Sequence, residues 1–185
     1  SFCNEEGHKR NTCKQHKDFI KLTTKANHNW RKAFVCEMLN LGYGIGSLVE
    51  VPNAIRKEFD FLNQGTSMGV VVGYNKEKLN VFCAYTAYSE FRSEGAVEIL
   101  VENETMLCLT KRFIGVSDRL HGFNDNYTYY EVKPVQSVRG SVSNDFYITE
   151  EGDLSMKWFF KKISMKSKEY DSAIELIQKW AESPN

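Results

Sequence analysis

Residues 3–16 read CNEEGHKRNTCKQH and bring two cysteines and two histidines into one short segment. Cys3, His8 and Cys13 follow the spacing C-x4-H-x4-C, and Gly7 stands directly before the histidine. Thiolates and imidazoles are ligands that Zn²⁺ prefers, usually four in a tetrahedron at about 2.0 to 2.3 Å. Glycine permits the tight turn that such a site needs. The segment therefore predicts a bound Zn²⁺, which supplies folding energy where no hydrophobic core exists.

The fourth ligand has two candidates. His16 completes a set with Cys3, His8 and Cys13 through the short spacing Cys13-x2-His16, which a turn can accommodate. The other candidate comes from a resemblance: the glycine and the last three ligands resemble the CCHC zinc knuckle of the nucleocapsid type, C-x2-C-x4-H-x4-C with a glycine directly before the histidine. The first cysteine of that family would lie one position upstream of Ser1, and the chain starts at serine. We therefore expect a fragment or processed chain that lacks its first ligand. The alternative without a metal is a disordered lysine-rich arm.

The resemblance, which covers less than a tenth of the chain, also implies a ligand. In CCHC knuckles an aromatic residue that follows the first cysteine stacks on an unpaired base. Phe2 stands at that place here, immediately before Cys3, which corresponds to the second cysteine of the pattern. Basic side chains near the knuckle would pair with phosphates, which makes binding strongly dependent on salt. The basic residues predicted to bind nucleic acid are Lys9, Arg10, Lys14, Lys17, Arg31 and Lys32.

Charge is distributed unevenly along the chain. The formal net charge is zero, with 24 basic and 24 acidic residues. Residues 1–36 nevertheless hold a net +5, so the rest of the chain holds −5. This asymmetry is expected of a basic arm that faces an anionic partner.

The remaining pattern predicts an α+β fold with a mainly antiparallel β domain. A basic linker over 17–25 precedes a helix over 26–41, in which Trp30, Phe34 and Met38 recur at helical spacing and which Gly42 ends. Strands are predicted at 45–52, 69–74, 79–85, 96–101, 106–109, 127–132, 146–149 and 154–160, largely as hairpins, before a helix from Ser167 to Glu182. The predicted domains are a zinc knuckle at 1–17, a basic linker and helix at 18–42, and a β-rich domain at 43–185.

Residues 44–90 resemble the opening of SH3-like, KOW or Tudor small barrels. A strand with an early glycine, a variable loop, the run Gly69-Val70-Val71-Val72-Gly73 and an apolar strand follow one another in that order. Such barrels bind RNA, DNA, peptides or no known ligand, so this resemblance predicts a fold and no site residues.

The sequence disfavours an enzyme. No nucleophile elbow, HExxH or Walker pattern occurs. His121 beside Asp118, and the acidic pair Glu98 and Glu102, are more typical of ordinary surface positions than of a catalytic cluster. We predict no catalytic residue.

Five cysteines with no framework spacing, three of them in apolar runs, favour a reducing intracellular compartment. No apolar run is long enough to span a membrane. The predicted function is zinc-dependent binding of single-stranded RNA or DNA. Two alternatives remain: a protein-interaction module, such as a viral factor that acts on host machinery, and a nucleic-acid-processing enzyme.

Overall fold

The computed structural model describes residues 2–3, 5–53, 65–76, 79, 81, 97–108, 132–148, 164–166 and 168–183. Within these ranges the chain forms two α-helices and one five-stranded antiparallel sheet, which confirms the predicted α+β class. His121, the strand predicted at 154–160 and most of those predicted at 79–85 and 127–132 lie outside the described residues.

Helix α1 spans Lys14–Asn40 and is longer than predicted. The linker expected over 17–25 is helical, because the apolar stripe begins earlier than Trp30. Phe19 and Thr23 are buried at helical spacing ahead of Trp30, and the Thr23 hydroxyl donates to the Phe19 carbonyl at 2.8 Å. A helix with this continuous buried face gains packing energy along its whole length.

The end of α1 is the one predicted. Gly42 has a positive φ of 90°, which glycine adopts without the strain that a Cβ would add. Its amide donates to the Leu39 carbonyl at 3.2 Å, and the Tyr43 amide donates to the Met38 carbonyl at 2.8 Å. This pair of hydrogen bonds is a Schellman motif, which satisfies the last carbonyls of the helix.

The sheet contains strands β1 (Leu48–Pro52), β2 (Thr66–Tyr74), β3 (Val97–Val101), β4 (Glu104–Cys108) and β5 (Lys133–Gln136), in the order β4-β3-β2-β1-β5. The predicted hairpin of β3 and β4 is confirmed, with a two-residue turn in which Glu102 has a φ of 56°. Alternate residues of β3, including Val97, Ile99 and Val101, are buried. One face of the sheet thus supplies a hydrophobic core.

Two strand predictions are wrong in the described residues. Leu79 and Val81, the described residues of the segment predicted at 79–85, lie in no strand, and β2 pairs with β1 on one side and β3 on the other. Val81 instead donates its amide to Asn27 Oδ1 of α1 at 2.9 Å. The strand expected at 146–149 is replaced at its start by a 3₁₀ helix, Asn144–Tyr147.

The chain divides into two compact units. The first comprises Ser1–Ala33, Asn80–Phe82 and Asn144–Asn185, and the second comprises Phe34–Leu79 and Cys83–Ser143. The domain boundaries predicted from the sequence stay a prediction. In the first unit α1 packs on helix α2 (Lys168–Glu182), which matches the predicted C-terminal helix, and Asn29 Nδ2 donates to the Trp180 carbonyl at 2.9 Å. None of the helices in the described ranges combines the length and apolar character needed to cross a membrane.

Candidate metal centre and basic helix face

Cys3, His8 and Cys13 converge in the structure as their spacing predicts. The Cys3 Sγ lies 3.1 Å from His8 Nε2 and 3.5 Å from Cys13 Sγ. All three ligand atoms lie within 4.8 Å of one another. A tetrahedral Zn²⁺ site places its ligand atoms about 3.3 to 3.8 Å apart, given the usual bond lengths. The three side chains therefore lie close enough together to bind one metal ion.

Local backbone structure brings the three ligands together. Gly7 has a φ of 90°, so the turn before His8 uses the left-handed conformation that favours glycine. A 3₁₀ helix, Arg10–Thr12, then returns the chain toward Cys3. The Thr12 hydroxyl closes this turn by donating to the Lys9 carbonyl at 2.9 Å and accepting from the Lys9 amide at 3.2 Å.

Cys13 lies directly before α1, and its environment favours the thiolate. Burial raises the pKa of the Cys13 thiol, but hydrogen bonds from the His16 backbone and from the Cys3 thiol outweigh burial. The pKa of Cys13 therefore lies below its ordinary value. The amino-terminal end of a helix also carries partial positive charge, which acts in the same direction. The thiolate is the form that binds metal.

We call Cys3, His8 and Cys13 the metal group. It opens onto a cavity of about 330 Å³ that Glu5 and Thr12 also line. Glu5 places its Oε2 3.8 Å from Cys3 Sγ, and it is exposed. Carboxylates are also zinc ligands. Glu5 therefore lies beside Cys3, His8 and Cys13, but it is not part of the group with metal-binding separation.

His16 does not belong to the group formed by Cys3, His8 and Cys13. Its side chain is 8% exposed, and its ring centroid lies 5.0 Å from that of Phe2. The prediction that His16 supplies the fourth ligand therefore requires its ring to leave this packing.

Phe2 is a core residue in the structure. Its side chain is 1% exposed, and its ring also packs against Phe19 and Tyr170, with centroids 5.2 and 5.8 Å away. The Arg10 guanidinium lies over the ring at 5.4 Å. The CCHC resemblance predicts that Phe2 stacks on an unpaired base, but in this arrangement the ring is covered. Its position beside Cys3 instead fastens the amino-terminal tip to the helices.

Arg31 is likewise buried, contrary to the expectation of a surface residue that binds phosphate. It is 0% exposed, and its Nη1 donates to the Ile148 carbonyl at 3.0 Å and to the Phe146 carbonyl at 3.5 Å. The guanidinium thus satisfies backbone acceptors at the end of the 3₁₀ helix. Arg10 is half-buried, and its burial lowers its pKa while Cys13 raises it.

The other predicted basic residues, Lys9, Lys14, Lys17 and Lys32, are exposed as expected. Two further lysines of α1, Lys21 and Lys25, are exposed between them and were not singled out from the sequence. The spacing of four residues from Lys17 to Lys21 to Lys25 places these lysines on one side of a helix. The prediction that 17–25 is a linker left no helix on which to apply that spacing.

Among the described residues, Cys3, His8 and Cys13 are the one group of three or more such side chains with metal-binding separation. No protein-family model, curated protein or solved structure matches the chain. Support for a function therefore comes from the chemistry of the site.

Proposed function

We propose that this chain is a zinc-dependent nucleic-acid-binding protein whose partner is single-stranded RNA or DNA. The observation that carries the proposal is the convergence of two thiols and one imidazole within 4.8 Å beside a basic surface. The metal orders the amino-terminal tip, and exposed lysines at its edge contact phosphates.

The donor set favours zinc among the common metals. Mg²⁺ and Ca²⁺ prefer oxygen ligands, whereas sulfur and imidazole donors in a tetrahedral arrangement favour Zn²⁺. Cys3, His8 and Cys13 would hold the ion, and the CCHC resemblance gives the fourth position to a second cysteine. His16 is the alternative within the chain. Because both cysteines must be reduced to bind, the proposal includes a reducing intracellular compartment.

Exposed positive charge beside the metal group supports an anionic partner. Lys9 lies directly after His8, and Lys14 and Lys17 occupy the first turns of α1. A knuckle is too small to fill a groove, which favours single strands whose bases are accessible. The SH3-like resemblance of the sheet is compatible with this role and is part of the proposal.

The test uses the zinc-loaded chain with a labelled 12-nucleotide single-stranded RNA or DNA. Metal content by mass spectrometry should give one zinc per chain, and log K should fall steeply with log[salt]. Cys13→Ser should lose zinc and most of the binding. Cys36→Ser, which alters an exposed cysteine outside the metal group, is the matched control. Binding that Cys13→Ser leaves intact, or a chain without zinc, would refute the proposal.

A second candidate, a protein-interaction module, is favoured by one observation on the sheet. Met68, Val72 and Leu100 are exposed by 52%, 41% and 37%. Met68 and Val72 each lie two residues from Val70 on β2. Val70 is paired with Leu100 of β3, so the three exposed side chains are neighbours. Exposed apolar clusters of this kind mark protein-binding surfaces. Co-purification of a protein that resists high salt and is lost in Met68→Ser would favour this candidate.

A further inference from the structure

Five lysines of α1 lie along one side of the helix. Lys14, Lys17, Lys21, Lys25 and Lys32 are separated by three, four, four and seven residues, and all five are exposed. At 3.6 residues per turn these positions fall within an arc of about 80°. We name this set the lysine stripe. At 1.5 Å per residue it extends for about 27 Å along the helix axis.

The opposite side of α1 is already covered. Phe19, Ala26 and Trp30 are buried, and each lies more than about 100° around the helix from the centre of the stripe. An amphipathic helix that binds a bilayer needs an apolar face free to enter the lipid. Since the apolar face of α1 packs in the core of its unit, the structure disfavours a membrane surface as the partner.

The composition of the stripe favours a uniform linear polyanion. Asp18 is the one acidic residue of the sequence between Lys14 and Lys32, so positive charge dominates the whole segment. Lysine acts as a point charge without the planar fork of arginine, and therefore contacts phosphates with little geometric selectivity. A length of about 27 Å matches about eight nucleotides of a strand whose bases stay stacked with the helical rise of 3.4 Å.

We infer that the lysine stripe is a sequence-independent phosphate-binding track, which carries a nucleic-acid strand from the metal group along α1 as far as Lys32. This inference rests on the proposed function and extends it. The metal group fixes one end of the strand, while the stripe determines how many nucleotides are bound and supplies most of the salt dependence. An oligonucleotide must then be about eight nucleotides long to bind at full strength.

The experiment compares two triple variants of the zinc-loaded chain that lose the same charge. The first is Lys21→Gln, Lys25→Gln and Lys32→Gln, which alters only the part of the stripe distant from the metal group. The second is the matched control, whose substitutions are at exposed lysines elsewhere: Lys133→Gln, Lys166→Gln and Lys179→Gln. Binding of labelled oligo(dT) of 4, 8 and 12 nucleotides is measured by anisotropy at several salt concentrations. Circular dichroism verifies that both variants fold.

Wild-type affinity should rise from 4 to 8 nucleotides and then level off. Loss of three phosphate contacts on a single strand should make the slope of log K against log[salt] less negative by about 2. The control variant should keep the wild-type slope within about 0.5. The stripe variant should also lose the gain in affinity between 4 and 8 nucleotides, because the distant lysines supply those contacts.

Other outcomes separate this inference from the proposed function. If the stripe variant keeps the wild-type slope while zinc removal abolishes binding, the proposed function stands and the phosphate track is refuted. If both triple variants lose binding equally, net charge rather than the stripe is responsible, and the track is refuted. If the wild-type chain binds no oligonucleotide but binds vesicles containing anionic phospholipid, both ideas fail.

Discussion

Replacing Phe2 tests whether the amino-terminal tip and the metal group form one cooperative unit. Phe2 is buried against three rings at 5.0 to 5.8 Å, and its carbonyl accepts the Met165 amide at 3.1 Å. Cys3 follows directly, so this packing holds one of the three candidate metal ligands near the other two. In Phe2→Ala the tip must be ordered by the metal alone, and zinc affinity should fall.

The magnitude follows from the burial of the side chain. Complete burial of a phenylalanine side chain contributes about 1.5 to 3 kcal/mol, and aromatic pairs add a further fraction. If about 3 kcal/mol of docking energy is lost, zinc affinity falls by about 100-fold, because 1.4 kcal/mol corresponds to a factor of ten. Phe2→Leu retains most of the apolar area and should lose less than about tenfold.

Zinc affinity is measured by competition with a chromophoric chelator under reducing conditions. Glu6→Ala, at an exposed position near the metal group, is the control and should leave the affinity unchanged. An unchanged affinity in Phe2→Ala would show that the tip reaches its metal-binding conformation without docking, and would refute this coupling.

Three further predictions concern stability. Gly42→Ala should lower the free energy of unfolding, measured by chemical denaturation, by more than Gly46→Ala does. Both glycines have positive φ, where a Cβ adds strain of about 1 to 2 kcal/mol, but only at Gly42 would the Cβ also press on neighbouring side chains. Equal losses of stability would contradict these contacts. Arg31→Ala should cost about 2 to 3 kcal/mol, because it removes a fully buried side chain and the charged donor of two backbone carbonyls, whereas Lys32→Ala should stay within about 0.5 kcal/mol. Because folding lowers the pKa of Cys13, the stability of the zinc-free chain should rise as pH rises from that lowered pKa toward about 8.5, and should fall on acidification. Cys13→Ser should make stability less dependent on pH in this range.

The metal group was the most predictable part of this protein. Its three ligands are close in sequence, so their spacing alone limits their separation in space. The same holds for the β3–β4 hairpin and for the end of α1 at Gly42, where local turn chemistry decides the structure.

The roles of Phe2 and Arg31 depend on distant parts of the chain and could not be read from local pattern. Phe2 is buried because Tyr170 of α2 packs against it, and Arg31 is buried because carbonyls near residue 147 accept its hydrogen bonds. The pairing of β2 with β3 likewise joins segments that are far apart in the sequence. In each case the contacting partner is far away in the sequence, so a local pattern of residue types cannot predict the contact.

The 3.5 Å between the sulfurs of Cys3 and Cys13 has a practical consequence for anyone who handles the protein. A disulfide bond is about 2.05 Å long, so a small approach of the two side chains suffices for oxidation once no metal separates them. Each such event removes two electrons and two protons from the thiols and eliminates two ligands together. Preparations made without reductant would then contain oxidised chains that cannot bind metal until they are reduced. The measured number of metal ions per chain would depend on how far the sample had been oxidised and not only on the affinity of the site.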